Sequence, residues 1–520
     1  MVRYRPYSYD GRVNPSTTRA VPAGDQGHRT TSRRWVLLAL MCTMMLAAMD
    51  ATIVSTAIPQ IVGDLGGFSL FSWVFSIYLL AQTVTIPVYG KLADIFGRKS
   101  ILLFGTVVFL FGSAASALAW DMHALVVFRG LQGLGAGAVM ATVATLAGDL
   151  YSVRERAAIQ GWLSSVWGIA AILGPVLGGA FAEYVSWRWI FLINVPIGLL
   201  AMVLIGVFLH ERFERRPHSI DYAGAVLILM AIGLLIFGLL QGGQAWAWTS
   251  ASSVLVFTLA ASLLAVLVVV ERRAREPMIP GWLWRWRLTC GANLATAGIG
   301  LVMMAPNAYL PTFAQSVLGL GAIESGLVLA SMSLGWPVAS SFSGRLYMRI
   351  GFRQTGLIGS VLVVAAMAGF LWMPHPASTW MVVLDTVLLG AGFGFLSTPL
   401  LVGVQSVVGW EQRGVVTGGN MFSRYLGASL GAALMGAIFN AGLRDGLAQA
   451  PQALAKAMPE DINGVIHALQ RGDLPQAGAD HLRVAIEAAT THLYVAGLVV
   501  SLLMVVAVLL IPRRFEARTS

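Results

Sequence analysis

The sequence predicts an all-α membrane protein: two six-helix bundles plus two extra helices, fourteen spans in all, with the N- and C-termini cytoplasmic. Three observations predict it. The 520 residues are 57% hydrophobic and only 11% charged, against about 25% charged in soluble proteins. The apolar residues run in stretches of about 20, enough to cross a hydrocarbon core of about 30 Å as helix. Lys and Arg gather in alternate connecting segments, as cytoplasmic loops do.

The spans read as 35–58, 69–90, 100–119, 123–148, 157–181, 189–209, 222–241, 250–270, 288–316, 323–344, 354–373, 380–408, 414–440 and 488–511. Backbone groups in lipid must be satisfied internally, so these runs are helices; the alternation of a membrane barrel is absent. With the N-terminus inside, the great majority of the 34 Lys and Arg fall in inner segments. The outer segments hold Arg188, Arg444, Lys456, Arg471 and Arg483, and only Arg129 and Arg424 lie within spans. Removing or adding one span would invert that pattern downstream. The net charge of +10 is therefore topology, and a nucleic-acid partner is excluded. Residues 1–34 read as a disordered cytoplasmic tail without the apolar core of a signal peptide, and 513–520 as a second tail. Cys42 and Cys290 are isolated within spans and make no disulfide framework or metal site.

Two stretches repeat. In "GKLADIFGRK" (90–99) and "GRLYMRIGFRQ" (from 344), Gly90, Lys91, Leu92 and Gly97 match Gly344, Arg345, Leu346 and Gly351. The repeat divides the chain into a first six-helix bundle at 35–209 and a second at 288–512. Residues 210–287 supply the two extra helices and a basic, Trp-rich connector. Repeats of this kind place a substrate site near the midplane, between the halves. The longest outer loop is 441–487.

Charges inside spans are costly and mark function. Of 24 acidic residues only Asp50 and Asp385 lie within spans away from their ends. Asp50 is about eight residues from the outer end of its span, roughly 12 Å deep, and Arg129 is about six residues, roughly 9 Å deep. The pair is expected to meet through Gln132 and Gln82. Asp385 is either a substrate contact or an interfacial acid. No nucleotide-binding Gly-x-x-x-x-Gly-Lys-[Ser/Thr] loop, catalytic cluster or metal-ligand spacing occurs, so the reading is not an enzyme.

Four motifs carry a family resemblance: "MDATIVSTAIPQI" (49–61), "GKLADIFGRK", "RGLQGLGAG" (129–137), and "LGPVLGG" (173–179) followed by "WRWIFLINVPIG" (187–198). From about 35 to 512 the chain resembles the major facilitator superfamily, specifically its 14-span drug:proton antiporter branch. The resemblance implies proton-coupled efflux of lipophilic, cationic compounds across the inner membrane, with Asp50 and Arg129 coupling the proton and no other cofactor. It implies a gating loop of Gly90, Asp94, Gly97 and Arg98 whose surface charges pair with Asp149 and Arg154. Met348 stands at the Asp94 position of the second copy, so that copy's latch is expected to be weak or absent. Gly174, Pro175, Gly178 and Gly179 would form the antiporter motif, packing against the other half. Gln82, Gln132, Asp385, Arg424, Tyr78, Trp167, Asn307 and Tyr309 are its substrate-cavity candidates. Expected partners are the small-molecule substrate and the bilayer, with a periplasmic adaptor as a candidate that would dock on 441–487, and the chain is expected to be a monomer. Export of a defined metabolite, lipid or siderophore, or a receptor that has lost transport, remain alternatives.

Overall fold

In a computed structural model, residues 31–67, 70–211, 221–243, 245–373, 378–449 and 476–513 are described. Residues 1–30, 450–475 and 514–520 lie outside them, and with them the expectations for the N-terminal tail, most of the loop 441–487 and the end of the C-terminal tail.

The first bundle is α1 (Arg33–Leu65), α2 (Phe71–Phe96), α3 (Arg98–Ala117), α4 (Met122–Leu150), α5 (Val153–Tyr184) and α6 (Asn194–Phe208), the last preceded by one turn at Trp189–Leu192. The extra helices are α7 (Tyr222–Gln241) and α8 (Ala251–Arg273). The second bundle is α9 (Arg287–Ser316), α10 (Ala322–Ile350), α11 (Phe352–Leu371), α12 (Thr379–Ser406), α13 (Trp410–Ala448) and α14 (Gln476–Leu510).

Among the described residues, thirteen helices are long and apolar enough to cross a membrane. The one expected span outside that number is α10, 29 residues long, whose "SMSLGWPVASSFSG" run lowers its apolar content. It packs on α12 and on α5, so protein rather than lipid covers much of its surface. The helices outrun the apolar stretches: α13 continues to Ala448 and α14 begins at Gln476, so part of the expected outer loop is helix.

Local chemistry sets the turns. Asp121 Oδ1 accepts from Ala124 N–H at 2.7 Å to cap α4, and Ser152 with Glu155 forms a capping box on α5. Gly97 (φ 90°) and Gly351 (φ 92°) make the α2–α3 and α10–α11 turns, a conformation that favours glycine. At the end opposite the basic turns, Asp64 accepts from Trp187 Nε1 (3.0 Å) and Arg188 Nη1 (2.9 Å). Those bonds hold its carboxyl below the usual range.

The repeat reaches well beyond the basic turns. Gly133 and Gly137 of α4 seat on Tyr78, Gln82 and Thr85 of α2, while Gly135 seats on Gly105 and Phe109 of α3. Gly390 and Gly394 of α12 seat in register on Met332, Trp336 and Ala339 of α10, and Gly392 on Gly359 and Val363 of α11. Small residues let these backbones approach closely.

The bundles meet along two seams near the end that carries the basic turns. In one, α13 lies on α2 through Gly90, Gly414 and Gly418; in the other, α10 lies on α5 through Gly161, Gly168, Ala157 and Gly344. Helix α7 pairs with α8 and packs on α2 and α13. The connector after α8 ties both bundles at this end: Met278 is buried in the first core and Leu283 in the second.

A Cβ on Gly90 would stand 2.6 Å from the Gly414 carbonyl oxygen. Gly90→Val should therefore destabilise the seam by about 1–3 kcal/mol, read as a lower Tm of the purified protein. Gly179, with open space around its Cβ position, should accept Ala with no fall in Tm. Equal effects at both positions would contradict the seam.

Candidate functional site

Asp50 and Arg129 form a closed pair between α1 and α4. Arg129 Nη1 lies 2.5 Å from Asp50 Oδ2 and donates to Gln132 Oε1 at 2.7 Å. Gln132 Nε2 donates to Asp50 Oδ1 at 2.9 Å, so both carboxylate oxygens are engaged. Arg129 Nε donates to the Val74 carbonyl at 3.1 Å, and its guanidinium stacks 4.3 Å from the Tyr78 ring centroid. Asp50, Arg129, Gln132 and Tyr78 are all buried to 1% exposure or less. Charges so enclosed persist only when partners satisfy them. Gln82 is buried on α2, but Gln132 alone supplies the amide bridge to the pair.

The fifth-helix motif supports this pair from outside. Gly174 packs on Thr52 and Ile53 of α1, and Gly178 on Ile53 and Thr56. Thr52 Oγ1 donates to the Ala170 carbonyl at 2.9 Å. The motif thus clamps α5 to the helix that carries Asp50. The expected contact with the other half is made by Gly168, which shares the motif's helical line one to two turns before Gly174, and by Gly161 further back. Pro175 is exposed and Gly179 half-buried.

A second charged cluster closes the seam between α2 and α13. Asp94 Oδ1 accepts from Arg98 Nη2 at 2.6 Å and from Gly414 N–H at 2.9 Å; Oδ2 accepts from Val415 N–H at 2.9 Å. Arg98 also donates to the Trp410 carbonyl, stacks on the Trp410 ring at 3.4 Å and lies 2.9 Å from Asp149 Oδ2. Arg413 Nη1 reaches Asp149 Oδ1 at 2.6 Å. Gly414 N–H and Trp410 C=O stand in the i, i+4 relation of a helical bond, and the Asp94–Arg98 pair engages both. Glu211 accepts from the Arg98 and Lys99 backbone N–H groups at 2.9 and 2.8 Å, an acid at the N-terminus of α3 where the helix dipole favours it.

Two expectations are corrected here. The cluster is buried, with Asp94 at 5% and Arg98 at 0% exposure, rather than a pair of surface bridges. Arg154 is exposed and outside it. Arg156, two residues on, turns inward and donates to the Tyr151 and Gly148 carbonyls at 2.9 and 2.5 Å. The other seam has no ion pair across it among the described residues, as Met348 in the place of Asp94 implies, and a different contact ties the bundles there. Met348 is 48% exposed, while the neighbouring Tyr347 stacks on Phe352 at 4.6 Å and donates to the Val153 carbonyl across the bundles. Phe352 occupies the repeat position of Arg98.

The remaining candidates are scattered. Trp167 and Asn307 are half-buried on α5 and α9. Tyr309 stacks on Phe439 of α13 at 4.5 Å. Asp385 is not brought to the centre: it is buried on α12 against Gly369 of α11 and Tyr494 of α14. Arg424 is half-buried on α13, 5.3 Å from the Tyr425 ring. Arg156, Arg413 and Glu211 were missed. The repeat could have found two of them, because Arg156 and Arg413 occupy matching places before Ala157 and Gly414.

Two repeated helical bundles, a buried ion pair between spans and a charged seam where the bundles meet define a membrane transporter. Residues 40–432 match the family model of the Major Facilitator Superfamily, and the chain belongs to that family. It is 32% identical over 492 residues to multidrug resistance protein 3 of Bacillus subtilis (strain 168), covering 92% of this chain and 95% of the relative. It is also 32% identical over 413 residues to multidrug transporter protein MdtP of the same organism, covering 79% and 76%. A solved structure of the human organic anion transporter MFSD10 (TETRAN) aligns at TM-score 0.61 with 14% identity, over 91% of this chain and 99% of that one; that likeness shows the fold alone.

Removing Arg98 would leave Asp94 and Asp149 buried without their shared cation. Arg98→Gln should cost roughly 3–5 kcal/mol, measured by thermal unfolding in detergent. Arg154→Gln should stay within about 0.5 kcal/mol. A loss at Arg154 as large as that at Arg98 would contradict the assignment.

Proposed function

We propose that the protein is a proton-coupled efflux antiporter that exports lipophilic compounds across the cytoplasmic membrane by alternating access. The observation that carries this reading is the enclosed Asp50–Arg129–Gln132 triad, an acid kept within a span where charge is costly. The relatives named as multidrug transporters support efflux. The Lys/Arg distribution supports placing the basic turns and both termini in the cytoplasm, which makes the end where the bundles meet the cytoplasmic one.

The coupling ion is a proton and no resident cofactor takes part. A proton arriving at Asp50 removes the charge that balances Arg129. The guanidinium then keeps Gln132, the Val74 carbonyl and the Tyr78 and Phe191 faces, and α1 and α4 lose their ion pair. Loss of that tie favours the opposite arrangement of the bundles, where Asp50 meets water on the other side. A change of state follows from differential stabilisation of this kind and from nothing else. The cationic substrate expected from the motifs relied on Asp50 as the cation's partner. With both its oxygens engaged, a cation reaches that carboxylate only by displacing Arg129.

In proteoliposomes with an imposed pH gradient, Asp50→Asn should reduce dye efflux to the level of empty vesicles while the protein still inserts and binds dye. Asp50→Glu should retain part of the activity. Gradient-driven efflux by the Asn variant at the wild-type rate would overturn the coupling role.

A further inference from the structure

Two arginines stand deep within spans, and their surroundings differ. Arg129 is closed by Asp50. Arg424, among the described residues, makes no hydrogen bond and no ion pair, and the face of Tyr425 is its recorded contact. Asp385 cannot serve it, being turned toward α11 and α14, and Asp50 is already engaged on both oxygens.

The helix phase shows where Arg424 projects. Gly414 and Gly418 of α13 face α2, whereas Gly427 and Gly431 face Ala297 and Leu301 of α9. At 3.6 residues per turn, Arg424 leaves the helix in the angle between those two faces, where the first bundle and α9 flank the midplane. Tyr425 beside it packs on the first bundle's core, within electrostatic reach of Tyr78. The hydroxyls of both tyrosines are buried and without a partner. A guanidinium lacking a counter-charge and a phenol hydroxyl lacking an acceptor thus stand on neighbouring residues of α13, with the unpartnered Tyr78 hydroxyl across the bundle boundary from Tyr425.

We infer that Arg424 is the counter-ion of the transported molecule, and that the site between the bundles takes lipophilic anions, carboxylates above all. This rests on the transporter reading and narrows its substrate class. Guanidinium and carboxylate pair through two parallel hydrogen bonds, and Tyr78 and Tyr425 supply further O–H donors. Each unmatched group at the site calls for an acceptor, and an anion supplies acceptors.

The test uses the full chain in lipid nanodiscs with no gradient, so proton coupling does not enter. Binding is measured for 11-(dansylamino)undecanoate, for its neutral methyl ester and for a dansyl-tagged quaternary ammonium of the same chain length. Wild type should bind the carboxylate roughly tenfold or more tightly than the ester. R424Q should bring the carboxylate to the ester's affinity and leave ester binding unchanged. R424K should keep the preference, so loss in R424Q is readable even if Gln loosens the fold. Equal binding of carboxylate and ester by wild type overturns the inference, as does a preference surviving in R424Q or tighter binding of the ammonium probe. Failure here leaves the Asp50 experiment standing, and failure there leaves these affinities untouched.

Discussion

A carboxylate and a guanidinium buried together within the first bundle dictate how that bundle is built. Such a pair is stable only if its lone pairs and N–H groups all find acceptors or donors, and that demands helices closer than ordinary side chains permit. Gly133 and Gly137 bring α2 within reach, so that Val74 offers its carbonyl and Tyr78 its ring to Arg129. Gly135 admits α3, and Gly174 and Gly178 press α5 against α1. The small residues of the fourth and fifth helices are therefore the steric condition of one electrostatic contact. The second bundle repeats the glycines of α4 on α12 without repeating the pair, which separates the packing scaffold from the charge it accommodates.

The seams between the bundles divide the same way. One is ionic, with Asp94, Arg98, Asp149 and Arg413 enclosed against the first turn of α13. The other has no ion pair across it among the described residues, with Tyr347, Phe352 and the Val153 carbonyl in the corresponding places. A buried ion cluster attracts strongly but forfeits hydration, and water entering an opened seam returns much of what separation removes. The ionic seam can thus exist in two states of similar free energy, dry and paired or wet and parted.

Depth was legible in the sequence and azimuth was not. Hydropathy located Asp50 and Arg129 at matching levels, and the charge pattern placed the basic turns at one end. Which neighbour turns inward depends on where a helix begins. Starting α5 at Val153 leaves Arg154 in solvent and rotates Arg156 inward, a choice two residues wide that spacing alone does not settle. Gln132 lies one turn from Arg129 on the same helix, while Gln82 belongs to another helix whose phase hydropathy does not report. Glu211 returns to the α2–α3 turn only because α6 runs antiparallel to α3. The polar α10 was found as a span because its neighbours on either side fixed the count, although its own composition falls short of a lipid-facing helix.

The two arginines bear on how the membrane's own field acts on transport. Moving one elementary charge through the membrane is worth about 2.3 kcal/mol per 100 mV. In a one-for-one exchange of an outgoing cation for an incoming proton, no net charge crosses, and only the proton concentration drives the cycle. If Arg424 delivers an anion outward while Asp50 carries a proton inward, both movements run down an inside-negative potential, and two charges draw on it per cycle. The guanidinium without a protein partner and the guanidinium closed by Asp50 then have complementary tasks: one neutralises the cargo, and the other senses the proton.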